Sequence, residues 1–304
     1  MFRRLFSCLI PSLPASLAAS LFSLALLALF AAPDALAQQR IPATMPDKQV
    51  RFPCGAGFVD NQHFSPLLQQ ARFIPADIQK SQLSLTFVGH STFLIESPAG
   101  VKAITDYNDY YRAKILPDIA TMNIARGNHS TDIIDPSISH VLRGWSMTDG
   151  KPPKHDIIMK DLRVYNLPTN LTGTGGSYWD SSSMFIFQSH GLCVGHMGHL
   201  RHILDQKAFS KLGRMDVMLV PVDRRVTQSY KELMHNLKGI NPRLIIPMHY
   251  NGMFTIQGFL ERAKEVYPVK RTASTKIILD RQKLPLKTEI LVMTAEDGGD
   301  GSQF

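Results

Sequence analysis

Cysteine is scarce here, three residues in 304, and no two of them form a Cys-x-x-Cys pair. That excludes a small disulfide-built scaffold and a zinc ribbon. Tryptophan is scarcer still, at two, and charged residues reach only 19% against 44% hydrophobic. The chain is therefore neither a disordered polyelectrolyte nor a fibrous repeat, and it is long enough to bury a sizeable core. Beyond the first 37 residues no apolar run is long enough to span a bilayer. Acidic residues are outnumbered, 25 to 33 basic, for a formal net charge of +8. The excess is scattered from Lys151 to Arg271 rather than gathered in a block. It predicts solubility first and an anionic partner, such as a phosphorylated substrate or an envelope lipid, second. No aromatic-basic motif suits nucleic acid.

What is present begins with a leader. Arg3 and Arg4, the apolar run Ser16 to Ala32 and the small-x-small Ala35-Leu36-Ala37 read as a secretory signal cut before Gln38. A retained membrane anchor is the alternative. The expected organisation is a signal over 1–37, a polar lead-in over 38–81, one main domain over 82–295 and a Gly-Asp-rich tail over 296–304, with the mature protein exported to the periplasm or secreted. Oligomeric state is left open.

Within the main domain, Leu83 to Val88, Thr92 to Glu96 and Val101 to Thr105 predict an antiparallel start, divided by Gly89 and the Ser97-Pro98-Ala99-Gly100 turn. Leu162 to Leu167, Ser183 to Gln188 and Leu192 to Gly195 predict a second strand cluster. Asp216 to Val222 and Arg243 to Pro247 are apolar runs of the kind buried on both faces, beside helical spacing over 200–212 and 228–237. A sheet sandwich covered by helices buries that pattern.

Chemistry concentrates at three strand ends. In Cys193-Val194-Gly195-His196-Met197-Gly198-His199-Leu200-Arg201-His202 the glycines oppose a helix, so His196 and His199 fall in a turn from which imidazoles can converge on an ion. His202 is expected in the first turn of the next helix. His249 follows a buried strand, and His129 precedes Asp132 by three residues, one nitrogen and one carboxylate. His90, in a Gly-His-Ser turn, reads as a hydrogen-bonded core residue, and His140 to Trp145 as packing rather than a substrate cleft. Thr172 to Ser177 reads as a flexible loop suited to a lid. Cys193 sits on a core strand, where a buried free thiol is common, and could ligate a metal. No Cys54–Cys193 disulfide is expected.

Four motifs in order, Gly89-His-Ser-Thr-Phe-Leu-Ile-Glu96, Ala103-Ile-Thr-Asp-Tyr-Asn108, the Cys193 to Leu200 strand-loop and Ile245-Ile-Pro-Met-His-Tyr250, resemble the metallo-β-lactamase superfamily, in the branch of L-ascorbate phosphate lactonases and N-acyl phosphatidylethanolamine phospholipases D. The resemblance implies an α/β fold, the αββα sandwich, with a zinc, iron or manganese site at one sheet edge and hydrolysis by metal-bound hydroxide. It puts Asp106 at the acidic residue that orients the site, Cys193 at a histidine ligand, His196 at the metal-bridging acid and His249 at the final histidine. A rival register starting at His196 puts His199 at the bridge. The family's His-x-His-x-Asp-His loop falls on Ile124, Arg126, Asn128 and His129, where only His129 survives. The expectation is a hydrolase of an ester, lactone or phosphodiester, with a small or lipid-like, anionic substrate. One divalent transition metal, zinc first, is held by His129, Cys193, His196, His199 and His249, with Asp132 or Asp106 handling the proton. The alternative is an inactive relative that binds a ligand in the old cleft, which the cation of Arg126 favours.

Overall fold

The computed structural model describes Cys54 and residues 81–147, 151–173, 176–250 and 253–296. The expected signal, nearly all of the lead-in and the tail after Glu296 lie outside the described residues. The first sheet comprises β1 (Gln82–Gly89), β2 (Thr92–Glu96), β3 (Lys102–Ile104), β4 (Ile119–Met122), β5 (His140–Arg143) and β13 (Lys276–Asp280), in the order β13-β1-β2-β3-β4-β5. The second comprises β6 (Asp156–Met159), β7 (Leu162–Gly173), β8 (Gly176–Ser189), β9 (Leu192–His196), β10 (Val217–Pro221), β11 (Leu244–Met248), β12 (Val269–Arg271) and β14 (Glu289–Val292), in the order β12-β14-β11-β10-β9-β8-β7-β6.

Period-two alternation sets the inner face of the first sheet. Leu83, Leu85 and Phe87 of β1 point into the core between the sheets, against Val164, Phe187, Val194 and Leu219 from the second. Phe87 pairs with Phe93 across the β1–β2 hairpin, and the rings stack at 4.6 Å. The middle of the second sheet is parallel, β9 to β10 to β11. Its outer face carries Met218, Val220 and Ile245 under the helices α1 (Gln206–Leu212), α2 (Tyr230–Ile240) and α3 (Met253–Ala263). Burial on both faces explains why these strands read as nearly unbroken apolar runs.

The sandwich is the one the resemblance implies, with the described helices in the second core and loops over the first sheet's outer face. There Ile104, Tyr107, Ala120, Met122 and Ile138 pack with Ile134 and Trp145. Trp145 therefore packs on one side, while with Val141, Arg143 and His155 it also lines a cavity of about 270 Å³. Helix α1 is shorter than its expected span because the Asp205 side chain caps it at Ala208 N, which leaves His202 in the preceding loop. Thr172 and Ser177 are cross-strand partners near the tip of the β7–β8 hairpin, as are Gly173 and Gly176, so this segment is largely paired strand rather than open loop.

One expectation is overturned outright. Cys193 is bonded to Cys54, with Cα atoms 5.9 Å apart. Alternation along β9 is the reason: Leu192 and Val194 face the inter-sheet core, whereas Cys193 faces the helix-covered core, where Cys54 packs. Cys193 is thereby removed from the candidate ligands, and its side chain leaves the strand on the face opposite His196.

Candidate metal centre

The site forms where both sheets end. In the second sheet β9, β10 and β11 finish at His196, Pro221 and Met248, and Asp223 and His249 follow directly. Pro221 and Pro247 suit this edge, because each lies beyond the last residue paired with one of its neighbouring strands, so no ladder bond is lost on that side. From the first sheet come His90 and Ser91 in the β1–β2 turn, Asp106 after β3, and Asn123 to His129 after β4. The edges are tied together: His249 N donates to His90 O at 2.8 Å, and His196 Nε2 donates to Ser91 O at 2.9 Å. His90, Asp106 and His249 have φ of 51°, 44° and 57°. Left-handed backbone at non-glycine residues costs free energy, and its concentration at one edge marks a place where side-chain direction outweighs local comfort.

Two imidazole–carboxylate pairs face each other. His129 Nδ1 lies 2.7 Å from Asp106 Oδ2, and His249 Nδ1 lies 3.3 Å from Asp223 Oδ1. Each carboxylate accepts the Nδ1 proton, so each ring turns a bare Nε2 lone pair inward, and the two Nε2 atoms stand 3.1 Å apart. Two lone pairs at that distance need an electrophile between them. A proton would charge the pair, which the surroundings oppose: burial, then His249 and Arg126, hold His129 well below the ordinary histidine range. A metal ion fits, since nitrogens at about 2.0–2.1 Å from a tetrahedral ion stand roughly 3.3 Å apart. His90 supplies a third nitrogen, the ligand atoms of His90, His129 and His249 all lying within 4.8 Å of one another. Its ring is 4.2 Å from that of His249, and Nε2 is 2.8 Å from the Asn128 amide.

The carboxylates are held in turn. Asp106 is fully buried, and burial pushes its carboxyl up, although His196, Ser91 and the Asn123 backbone favour the charge. Asn123 N and Nδ2 donate to it at 3.1 and 3.0 Å. At Asp223 burial also works upward, but hydrogen bonds from His249, Thr227 and Val226 N outweigh it and hold the carboxyl below the usual carboxylate range.

Of the residues singled out in the sequence, Asp106, His129 and His249 meet here, and His199 packs edge-on beside them, ring centroids 5.0 Å from His129 and 5.2 Å from His249. His196 is adjacent, but its Nε2 is spent on Ser91 O, and Nδ1 is buried without a partner. Asp132 is exposed and stands apart from the three imidazoles, beyond the turn closed by His129 N on Arg126 O. Proton handling at Asp132 is accordingly set aside. Ile124 is buried and Arg126 exposed, so neither crowds the three imidazoles. Two members were not anticipated. His90 was assigned to the core, yet the left-handed turn presents it to the site. Asp223 carried a readable signal, an acid straight after a buried strand.

Gly198 holds this corner tight. At φ 61° a Cβ would lie 2.8 Å from both Asn123 Nδ2 and Ser183 O, and Asn123 is the residue that anchors Asp106. Gly198→Ala should lower the unfolding free energy by about 2 kcal/mol or more, from the left-handed backbone and the clash with a carbonyl. Urea denaturation of both proteins checks this, and an unchanged midpoint would refute it.

Residues 84–249 match the family described as a beta-lactamase superfamily domain. A metal-dependent hydrolase of Carboxydothermus hydrogenoformans is 24% identical over 56% of this chain and 85% of its own length. One from Methanosarcina mazei is 21% identical over 66% of this chain and 96% of its own. Among solved structures, a Thermotoga maritima protein described under the metallo-beta-lactamase superfamily superposes with a TM-score of 0.52 at 22% identity, covering 69% of this chain and 98% of its own. That likeness concerns the fold.

Proposed function

Because this chain belongs to the β-lactamase superfamily, we propose that it is a metal-dependent hydrolase whose single cation is held by His90, His129 and His249. The observation that carries this is the pair of Nε2 lone pairs converging at 3.1 Å. A bound divalent cation supplies a Lewis acid and lowers the pKa of water in its remaining position. Three imidazoles suit zinc first, with iron or manganese as the other choices. The chain's own residues do the rest. Asp106 and Asp223 fix the tautomer and direction of His129 and His249 and raise their basicity as ligands. The side-chain amide of Asn128, its Nδ2 lying 2.8 Å from His90 Nε2, fixes the direction of that ring. The bond scissioned is that of an ester, lactone or phosphodiester in a small or lipid-like, anionic substrate. Nucleic acid is not part of this reading. Arg126 is exposed rather than buried among the imidazoles, yet its charge still reaches His129, and that is the observation favouring the second reading, an inactive relative. Export to the periplasm or beyond is supported by the Cys54–Cys193 bond, since such bonds persist in oxidising compartments.

Elemental analysis of the full chain tests this reading. One transition metal per chain is expected in the unmodified protein. His129→Ala and His249→Ala should each lose most of it, with His90→Ala lowering affinity as well. His202→Ala, outside the trio, should keep full occupancy. Retention of the metal by all three trio variants would refute the ligand set.

A further inference from the structure

His199 is 1% exposed, and its Nε2 lies 3.3 Å from an Arg201 guanidinium nitrogen. A guanidinium has only donors, so Nε2 is the acceptor in that contact and the ring proton sits on Nδ1. That Nδ1 is buried and has no hydrogen-bond partner. A buried N–H without an acceptor is costly, on the order of 1–3 kcal/mol, so the site is built to receive an acceptor from outside. In this tautomer His199 has no free lone pair for the neighbouring cation and acts as a donor beside it. The chain's nearby carboxylates do not fill the role. Asp106 accepts from Asn123 and His129, and Asp223 from His249, Thr227 and the backbone of Arg225 and Val226.

The charges of two arginines act on the same imidazole. Arg201 touches it directly, and Arg126 projects from the start of the turn that His129 N closes on Arg126 O at 2.8 Å. Burial first, then the charge of Arg126, lowers the Arg201 guanidinium. After burial and the imidazoles of His129 and His249, both arginines also lower His199. Like charges that act on one another across a site favour an anion between or beside them. Guanidinium groups also present paired donors matched to oxyanions.

We propose that His199, Arg126 and Arg201 form an anion subsite beside the three-histidine centre, which takes an oxyanion group, carboxylate or phosphoryl, carried by the substrate. This rests on reading that centre as hydrolytic, and it says where the rest of the substrate lies: its anionic group sits on the His199 side of the scissile bond. It also gives Arg126, standing where relatives of this fold are expected to place a ligand histidine, a positive task.

The test is calorimetric titration of the metal-loaded full chain with inorganic phosphate, with acetate in parallel, repeated on metal-stripped protein. Arg126→Gln and Arg201→Gln should each weaken phosphate binding at least tenfold while metal content, read by elemental analysis, stays that of the unmodified protein. Arg126 is exposed, so its variant leaves the core untouched should Arg201→Gln fold poorly. Phosphate binding tighter than acetate assigns a phosphoryl group, and the reverse a carboxylate. Equal phosphate affinity in both arginine variants overturns the subsite, as does complete loss of binding on metal stripping, which would assign the anion to the ion alone. If the unmodified protein holds no metal, the hydrolase reading fails, while the metal-stripped titration still decides the subsite.

Discussion

Reducing the Cys54–Cys193 bond should cost the protein about 4 kcal/mol of unfolding free energy without removing its metal. The bond closes a loop spanning 139 positions; the chain-entropy account gives about 5 kcal/mol for such a loop, and measured disulfides usually deliver somewhat less, about 2–4 kcal/mol being typical. Cys193 is fully buried beneath the helices, so the reduced thiol packs as a small apolar group and the native contacts largely survive. Urea unfolding with and without a non-chelating reductant measures the effect. Cys54→Ser serves as the control, starting from the lower stability and showing no further response to reductant. Metal content should not change, because the Cys193 side chain leaves β9 on the face opposite His196. Equal midpoints with and without reductant would refute the stabilising role, and metal loss on reduction would return Cys193 to the ligand set.

How much of this could be read from the chain alone depended on range. β1 and β2 alternate with period two around a Gly-His-Ser turn, and β9 to β11 are buried on both faces, so local pattern sufficed for each. β12 could not be read, being three residues with Lys270 and Arg271 exposed. β6 is only half-buried along its four residues. Helix α3 passed unnoticed although Ile256, Phe259, Leu260 and Ala263 hold its buried stripe at helical spacing. In the site, Asp106, His129 and His249 stood out through motif resemblance. His90 and Asp223 did not, because what makes them functional is a meeting of edges: the His249 N to His90 O hydrogen bond joins residues 159 positions apart in numbering, and no local periodicity encodes it. The disulfide failed for the same reason. Whether two cysteines so far apart pair is decided by the side of β9 that Cys193 occupies and by where the lead-in returns, and composition speaks to neither.

The metal-free protein should lose stability steeply as pH falls below about 6.5. Burial, the largest cause in each case, lowers six imidazoles: His90, His129, His155, His196, His199 and His202. His90 and His199 are lowered to about 2. Below pH 6.5 the unfolded chain takes up protons at these positions before the native state does, so the unfolding free energy falls with falling pH, by up to about 1.4 kcal/mol per unit for each such group. Asp106 and Asp216 work in the opposite direction, since burial raises both carboxyls and the native state then gains a proton there before the unfolded one does. It is two groups against six, and the imidazoles decide the sign. His90 and His199 alone give a loss of about 5 kcal/mol between pH 6.5 and 4.5, comparable with the whole stability of an ordinary domain. Urea titrations of the chelator-treated full chain at half-unit steps from pH 7.5 to 4.5 read this slope directly. His199→Gln should reduce it by close to one proton. A stability that stays level between pH 7 and 5 would mean that these rings take up protons inside the fold, and the neutral, lone-pair-inward arrangement of His129 that favours a cation would fall with it.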